Sequence, residues 1–424
     1  MLNALVLSGP APSSREEVVS LDGETKRKTS AGEPFTALAF KTISEEHMGD
    51  LTFFRVFSGA IEPGTELYNP RAEKSERIGQ LYMTQGSQRI EANKLVAGDI
   101  GAAVKLKETK AGDTLCEAGG DFQLPGIPFP KSVIRCAVVP KTKGEEDKIG
   151  NGLSRLHDED PTFHVEISAE VHQTLLHGLG ELQLDIIVKR LKERFGVEVE
   201  LVEPKIPYKE TIRRKAEGQG KYKKQSGGRG QYGDVWLRLE PRPRGEGFEF
   251  VSEVVGGNIP TKFIPAVEKG VVGCMEDGIL CHCKVVDVKA VVYDGSYHNV
   301  DSSENAFKVA GGMAFKKIFM EADPVLLEPI MTVKVTVPED CMGDVMGDFS
   351  SRRGRILGMD SAGQYQVVNA EVPLAELYKY STHLRSLTGG RGLHERDFSH
   401  YAEVPKEAAA KVIAAAAKGR EEES

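Results

Sequence analysis

Residues 179–202 read LGELQLDIIVKRLKERFGVEVELV. Leu179, Leu182, Ile186, Ile187, Leu191 and Phe195 recur at helical spacing, and Gly196 supplies the stop. A strand, VEVELVEP, follows. Upstream lie a strand pair, FHVEIS and HQTLLHG, then a helix, EEDKIGNGLSRLHDED, and before it a strand, SVIRCAVVP. The order is βαββαβ, the pattern of a ferredoxin-like sandwich, expected over 131–204.

The same order returns near the end of the chain. PIMTVKVTVP reads as a strand and CMGDVMGDFSSRRG as a helix. RILGMD and YQVVNAEVP form a hairpin about Ser361-Ala362-Gly363. LAELYKYSTHLRSLTGG is a helix with a glycine stop, and RDFSHYAEVP is a strand. A second sandwich is therefore expected over 326–405, with an alanine-rich helix and tail over 406–424. Between the sandwiches, residues 205–325 carry strands around VWLRLEP, FEFVSEVVG and HCKVVDVKAVVYDG, and helices at about 260–276 and 303–322. Ahead of both, short alternating runs punctuated by Pro63-Gly64, Asn69-Pro70 and Gly98-Asp99 predict a small β-barrel over 31–122. QLPGIPFP, with three prolines, links it onward. Residues 1–30 read as a polar linker.

The chain has 424 residues, 40% of them apolar and 28% charged, with net charge −8. Mean hydropathy is −0.31. No apolar run approaches the ~20 residues of a membrane-spanning helix, so no membrane partner is expected. The short apolar N-terminal run lacks a basic start, which makes a poor secretory signal. Six scattered cysteines suit reduced, buried positions better than a disulfide framework. Cys281-His282-Cys283 lacks the two-residue gap of common zinc knuckles, and no metal site is expected.

The acidic average hides a basic block. From Lys205 to Asp234 there are nine Lys/Arg against three acids. Arg213, Arg214, Lys215, Lys221, Lys223 and Lys224 form its main patch. On charge alone it reads equally as a solvated loop or a phosphate-contacting surface.

Catalytic chemistry is hard to find. No G-x-x-x-x-G-K-[ST] motif occurs, and Asn93-Lys94-Leu95-Val96 fails as a guanine-recognition element at its last position. Gly228-Arg-Gly230-Gln-Tyr-Gly233 fits G-x-G-x-x-G, but a strand leaves it where a dinucleotide site needs a helix. His157, His164, His172 and His177 are dispersed. The chain as given reads as a binding protein with no catalytic residues and no cofactor. A second glycine-containing loop, Tyr293 to Glu304, places Tyr297 and His298 before a helix that Ser302 or Ser303 can cap. Asp301 and Glu304 suit the helix's positive end. The loop reads either as a turn with a cap or as a tip for stacking on bases.

At these two loops the sequence resembles translation elongation factor G. The motifs are Ser226-Gly-Gly-Arg-Gly-Gln-Tyr-Gly233 and Asp294-Gly-Ser-Tyr-His-Asn-Val-Asp-Ser-Ser303. Pro34-Phe-Thr-Ala-Leu-Ala-Phe-Lys41 and Leu51-Thr-Phe-Phe-Arg-Val-Phe-Ser-Gly59 resemble that family's second domain. Glu145-Glu-Asp-Lys-Ile-Gly150 and Gly178-Leu-Gly-Glu-Leu182 resemble its third. Arg352-Arg-Gly354 and Phe398-Ser-His-Tyr-Ala-Glu-Val-Pro405 resemble its fifth. The third-domain helix departs from the family pattern at Gln183, where histidine is usual, and the change looks harmless.

The resemblance implies a multidomain α+β chain: a translation-factor β-barrel, two ferredoxin-like βαββαβ sandwiches, and between them a ribosomal-protein-S5-like α+β domain. The family's GTPase domain has no counterpart here; residues 1–14, MLNALVLSGPAPSS, resemble the junction just after it, within the linker expected over 1–30. GTP and magnesium would belong to that domain, making the parent factor a GTPase. The implied function is ribosome binding and promotion of tRNA and mRNA translocation when joined to the GTPase domain. Carried over by position, Gly227, Gly228, Arg229, Gln231 and Tyr232 form one tip loop and Ser296, Tyr297, His298 and Asn299 the other. The implied partners are ribosomal RNA, tRNA, mRNA and ribosomal proteins, met by a cytoplasmic monomer. A ribosomal protection or recycling factor, or a stand-alone ribosome- or RNA-binding protein, remains an alternative.

Overall fold

The structure is a computed structural model, described over residues 7–45, 49–86, 88–225 and 230–423. It divides into two units, Met1–Ile167 with Thr174–Val202, and Ser168–Gln173 with Glu203–Ser424.

In the first unit, eight strands form one antiparallel sheet. They are β1 (Thr36–Glu45), β2 (Gly49–Ser58), β3 (Glu66–Asn69), β4 (Lys74–Arg77), β5 (Leu81–Gln85), β6 (Gln88–Glu91), β7 (Ile100–Val104) and β8 (Thr114–Glu117). Their order is β4-β3-β8-β1-β2-β7-β5-β6, and a short pair, Ala60–Ile61 with Leu95–Val96, lies beside it. Alternation puts Ala37, Ala39, Phe54, Val56, Leu67 and Leu115 into one shared core.

The sandwich follows as β9 (Ile134–Pro140), α1 (Glu146–Glu159), β10 (His164–Ser168), β11 (Gln173–Gly178), α2 (Glu181–Phe195) and β12 (Val199–Val202). The sheet order β10-β11-β9-β12 is the ferredoxin-like arrangement expected from the sequence. Gly196, at φ +68, ends α2 in the left-handed conformation. The buried face of α2 differs from expectation. Leu184, Ile187 and Leu191 are buried, whereas Leu182 is 74% exposed and Ile186 42%. The helix carries two apolar stripes, and periodicity alone does not say which one meets the sheet. The close approach of α1 favours the stripe containing Leu191: a Cβ on Gly152 would lie 2.5 Å from Leu191 Cδ1. Gln183 has a definite role. Its Oε1 accepts from Leu179 N (2.7 Å), and its Nε2 donates to Asp160 Oδ2 (2.9 Å) and Thr162 Oγ1 (2.6 Å).

Among the described residues, the second unit holds two sheets. The first, β14 (Ala216–Lys224), β15 (Gln231–Pro241), β16 (Glu249–Ser252) and β17 (Val288–Ser296), has the order β14-β15-β17-β16, with β16 parallel to β17. Helices α3 (Ile264–Asp277) and α4 (Glu304–Glu321) cover one face. Val235, Leu237, Val292, Phe307, Phe315 and Ile318 meet in its core. Helix and sheet touch backbone to backbone at Gly220, where a Cβ would fall 2.3 Å from the Ala310 carbonyl oxygen. Only glycine permits that approach.

The second sheet repeats βαββαβ. It comprises β18 (Pro324–Pro338), α5 (Met342–Ser351), β19 (Arg355–Ala362), β20 (Tyr365–Pro373), α6 (Tyr380–Leu387) and β21 (Leu393–Glu403), followed by α7 (Lys406–Glu423). One further strand joins it. β13 (Lys209–Ile212) pairs with residues 324–327 of β18. Leu327 faces both Lys209 and Glu403, so β13 and β21 lie on opposite edges of β18. The chain entering the tip domain is therefore stitched to the C-terminal sheet. Arg213 and Arg244 reinforce this joint, both pairing with Glu403.

A candidate RNA-binding tip

β15 and β17 are neighbours in the tip sheet, with Asp234 facing Ser296. Beyond that pair, the segment entering β15 and the segment leaving β17 lie together. Ser226, Gly227, Gly228 and Arg229 fall outside the described residues. From Gly230 onward the two segments are bonded at several points. Asp301 Oδ1 accepts from Gly230 N (3.0 Å), and the Asp301 carbonyl accepts from Tyr232 N (2.9 Å). Ser302 Oγ donates to the Tyr232 carbonyl (2.9 Å) and accepts from His298 N (2.9 Å). Ser296 Oγ donates to Asp234 Oδ2 (2.7 Å), which leaves Tyr232 Oη as donor to Ser296 Oγ (2.7 Å). Asp234 is buried, and its other oxygen accepts from Gln219 Nε2 (2.7 Å). This buried support has no counterpart in the sequence motifs.

Ser303 caps α4, its side chain accepting from Ala306 N (3.2 Å). Of the two serines proposed from sequence, Ser303 is the cap and Ser302 joins the loops. Asp301 was expected to serve the positive end of α4, and its carboxylate instead holds Gly230. The difference follows from the second loop folding back on β15, which the sequence motif does not encode.

His298 also differs from expectation. It is exposed, but its Nδ1 accepts from Asp301 N (3.2 Å) and Val300 N (3.3 Å). The ring thus helps shape its own turn, a role not anticipated from sequence. With Nδ1 accepting, the neutral ring carries its proton on Nε2. Asp301 Oδ2 lies 3.4 Å from Nδ1, a partner the protonated ring can use. Tyr297, Asn299 and Val300 are exposed around it. The Tyr232 ring lies 6.4 Å from the His298 ring, and Lys221 Nζ stands 5.7 Å from the Tyr232 ring centroid. At the edge of the loop, a side-chain hydrogen bond from Asn258, then one from Gly295 N, lowers the pKa of Asp294.

The basic patch splits in two. Lys223 and Lys224 are exposed at the tip end of β14, opposite Tyr232 and Gln231, with Lys221 two residues back. Arg213, Arg214 and Lys215 sit at the other end. Arg213 pairs with Glu403, Arg214 Nε donates to the Glu321 carbonyl (3.2 Å), and Lys215 pairs with Glu240 (3.2 Å). The first group is exposed at the tip end of the sheet, and the second secures the domain base.

Four family models match in the order of these domains. Elongation factor Tu domain 2 matches residues 49–116, and elongation factor G domain III matches 129–203. Elongation factor G domain IV matches 204–323, and the elongation factor G C-terminus matches 325–412. The chain belongs to the elongation factor G family. The tip described above falls inside its domain IV. The family is one of translation elongation factors, and the structure is the mixed multidomain fold expected from the resemblance. A crystal structure of a protein from Thermus thermophilus is 40% identical, with a TM-score of 0.80. The match covers 98% of this chain and 60% of that one. Among the described residues, no helix is long and apolar enough to cross a membrane.

Proposed function

We propose that this chain is the ribosome-binding portion of an elongation factor G, and that its domain IV tip enters the decoding region during translocation of tRNA and mRNA. The observation that carries this reading is the joined pair of loops. Backbone and buried side chains fix them, and Tyr297, His298 and Asn299 remain exposed to stack or hydrogen-bond. Lys221, Lys223 and Lys224 add positive charge beside them, suited to phosphate. Gly227, Gly228, Arg229 and Gln231 complete the proposed RNA-facing set, together with Tyr232 and Ser296.

In this reading, GTP and magnesium act in a GTPase domain that the four matched models do not include. This chain's own glycine motif does not suit a nucleotide, because β15 follows Gly230 directly where a dinucleotide site needs a helix. Its residues bind and orient RNA, and hydrolysis belongs elsewhere in the factor. The setting would be the cytoplasm, with the factor acting as a monomer.

Salt dependence of binding tests the proposal. Counterion release makes affinity for 70S ribosomes fall steeply between 50 and 200 mM salt, by about tenfold or more for a few phosphate contacts. Lys223→Ala/Lys224→Ala should reduce that slope. Unchanged binding across salt would refute it.

A further inference from the structure

The loop between α3 and β17 carries Cys281-His282-Cys283, which the tip does not use. Gly278 ends α3 at φ +69, and a Cβ there would fall 2.5 Å from Cys283 N. His282 adopts a left-handed φ of +62, turning the chain so that the two cysteines face one another. Their Sγ atoms are 3.3 Å apart. Cys281 is buried and Cys283 half-buried, in a cluster with Leu326, Val404 and, from α7, Val412 and Ile413.

Glu210 closes this loop from β13 and is fully buried. One carboxylate oxygen accepts from Ile279 N (2.7 Å) and Leu280 N (2.8 Å). The other accepts from Cys281 N (2.9 Å) and Cys283 N (3.1 Å). The three side chains group closely enough to hold a cation, but the four N–H donors occupy the carboxylate's lone pairs. Two thiolates here would also place three negative charges together. The hydrogen bond with Cys283, then burial, pushes the Cys281 thiol pKa far up. The surroundings thus favour a product without charge on sulfur.

We propose that Cys281 and Cys283 form a reversible dithiol–disulfide site, oxidised by hydrogen peroxide, at the joint between the tip domain and the C-terminal sheet. Cys283 is the more exposed and attacks as the thiolate. Its sulfur bonds to one peroxide oxygen, the O–O bond breaks, and hydroxide leaves. Cys281 sulfur then attacks the resulting sulfenic sulfur. The S–S bond forms, the S–O bond breaks, and water leaves with the Cys281 proton. Hydroxide takes up the proton Cys283 lost. In sum, two thiols lose two electrons and two protons, and one peroxide becomes two waters.

Bond formation draws the sulfurs from 3.3 Å to about 2.0 Å. The amides of both cysteines are held by Glu210, and β13, which carries Glu210, pairs with β18. Oxidation therefore acts directly on the strand that stitches the two domains.

The test treats the folded full chain with hydrogen peroxide, blocks remaining thiols by alkylation, and sequences the tryptic peptide 270–284 by mass spectrometry. Fragment ions separate Cys274 from the pair. The expected result is loss of two hydrogens within 281–283, no alkylation of either cysteine, and full reversal by a thiol reductant. Cys281→Ser and Cys283→Ser should each abolish it. Two results would overturn the proposal: sulfinic acid on Cys283 with Cys281 still alkylated, or stoichiometric zinc uptake that protects both thiols from peroxide.

Discussion

Ser302→Ala tests how the two tip loops are joined. Ser302 is buried, and its hydroxyl makes two hydrogen bonds of 2.9 Å, one to the Tyr232 carbonyl and one from His298 N. Alanine keeps the backbone and removes both. Each neutral hydrogen bond contributes a net of about 0.5–1.5 kcal/mol, so the pair contributes about 1–3 kcal/mol. Water can reach the exposed His298 turn, which places the loss in the lower half of that range. The loss should stay local, because Ser303 still caps α4 and Asp234 still holds Ser296. Global melting is a poor readout in a chain with several domains. Amide hydrogen exchange resolves the site instead. A loss of about 1–2 kcal/mol is a factor of 5–30 in the local opening equilibrium. Exchange at His298 N should quicken by that factor, with the Val235 and Leu237 amides unchanged. Unaltered exchange at His298, or faster exchange throughout the tip core, would refute the joint.

Other consequences can be measured independently. Glu210→Gln replaces acceptor capacity with a donor facing backbone N–H groups. Losing two charge-assisted bonds at about 1.5–3 kcal/mol each predicts roughly 3–6 kcal/mol of destabilisation, measured by urea unfolding of the second unit. In the first unit, burial and then neighbouring His164 lower the His177 pKa to about 4, against the pull of Glu166. A base with a depressed folded pKa is protonated more readily when unfolded, so stability should fall as pH drops from about 6.5 towards 4. His177→Gln should flatten that profile in pH-dependent melts. His298→Ala, in a factor that includes the GTPase domain, should slow single-turnover translocation while GTP hydrolysis continues. His298→Asn, with an acceptor near the Nδ1 position, should retain more of the turn's exchange protection than alanine.

The repeated βαββαβ order was legible because each strand and helix carries its own period and stop, as Leu191 and Gly196 show for α2. Periodicity did not choose between the two apolar stripes of α2, since that choice depends on Gly152 in another helix. The tip motifs were legible as glycine, aromatic and small polar residues between a strand and a helix. The partners inside the tip were not. Asp301 to Gly230 and Ser302 to Tyr232 join residues about seventy positions apart. Nor did charge counting separate Lys223 and Lys224 from Arg213 and Lys215, whose acids arrive from β21 and β15. Glu210 carried no motif at all, and its role appears only when β13 meets the loop after α3.

The most direct test of the tip's role is hydroxyl-radical probing of 70S ribosomes with an iron chelate tethered at Asn299→Cys, an exposed position beside His298. Lys143→Cys, exposed in the other unit, serves as the control tether. The account predicts cleavage of small-subunit ribosomal RNA around the decoding region from position 299, with a different pattern from position 143. Cleavage from position 299 that matches the control, or is confined to the large subunit, would contradict it.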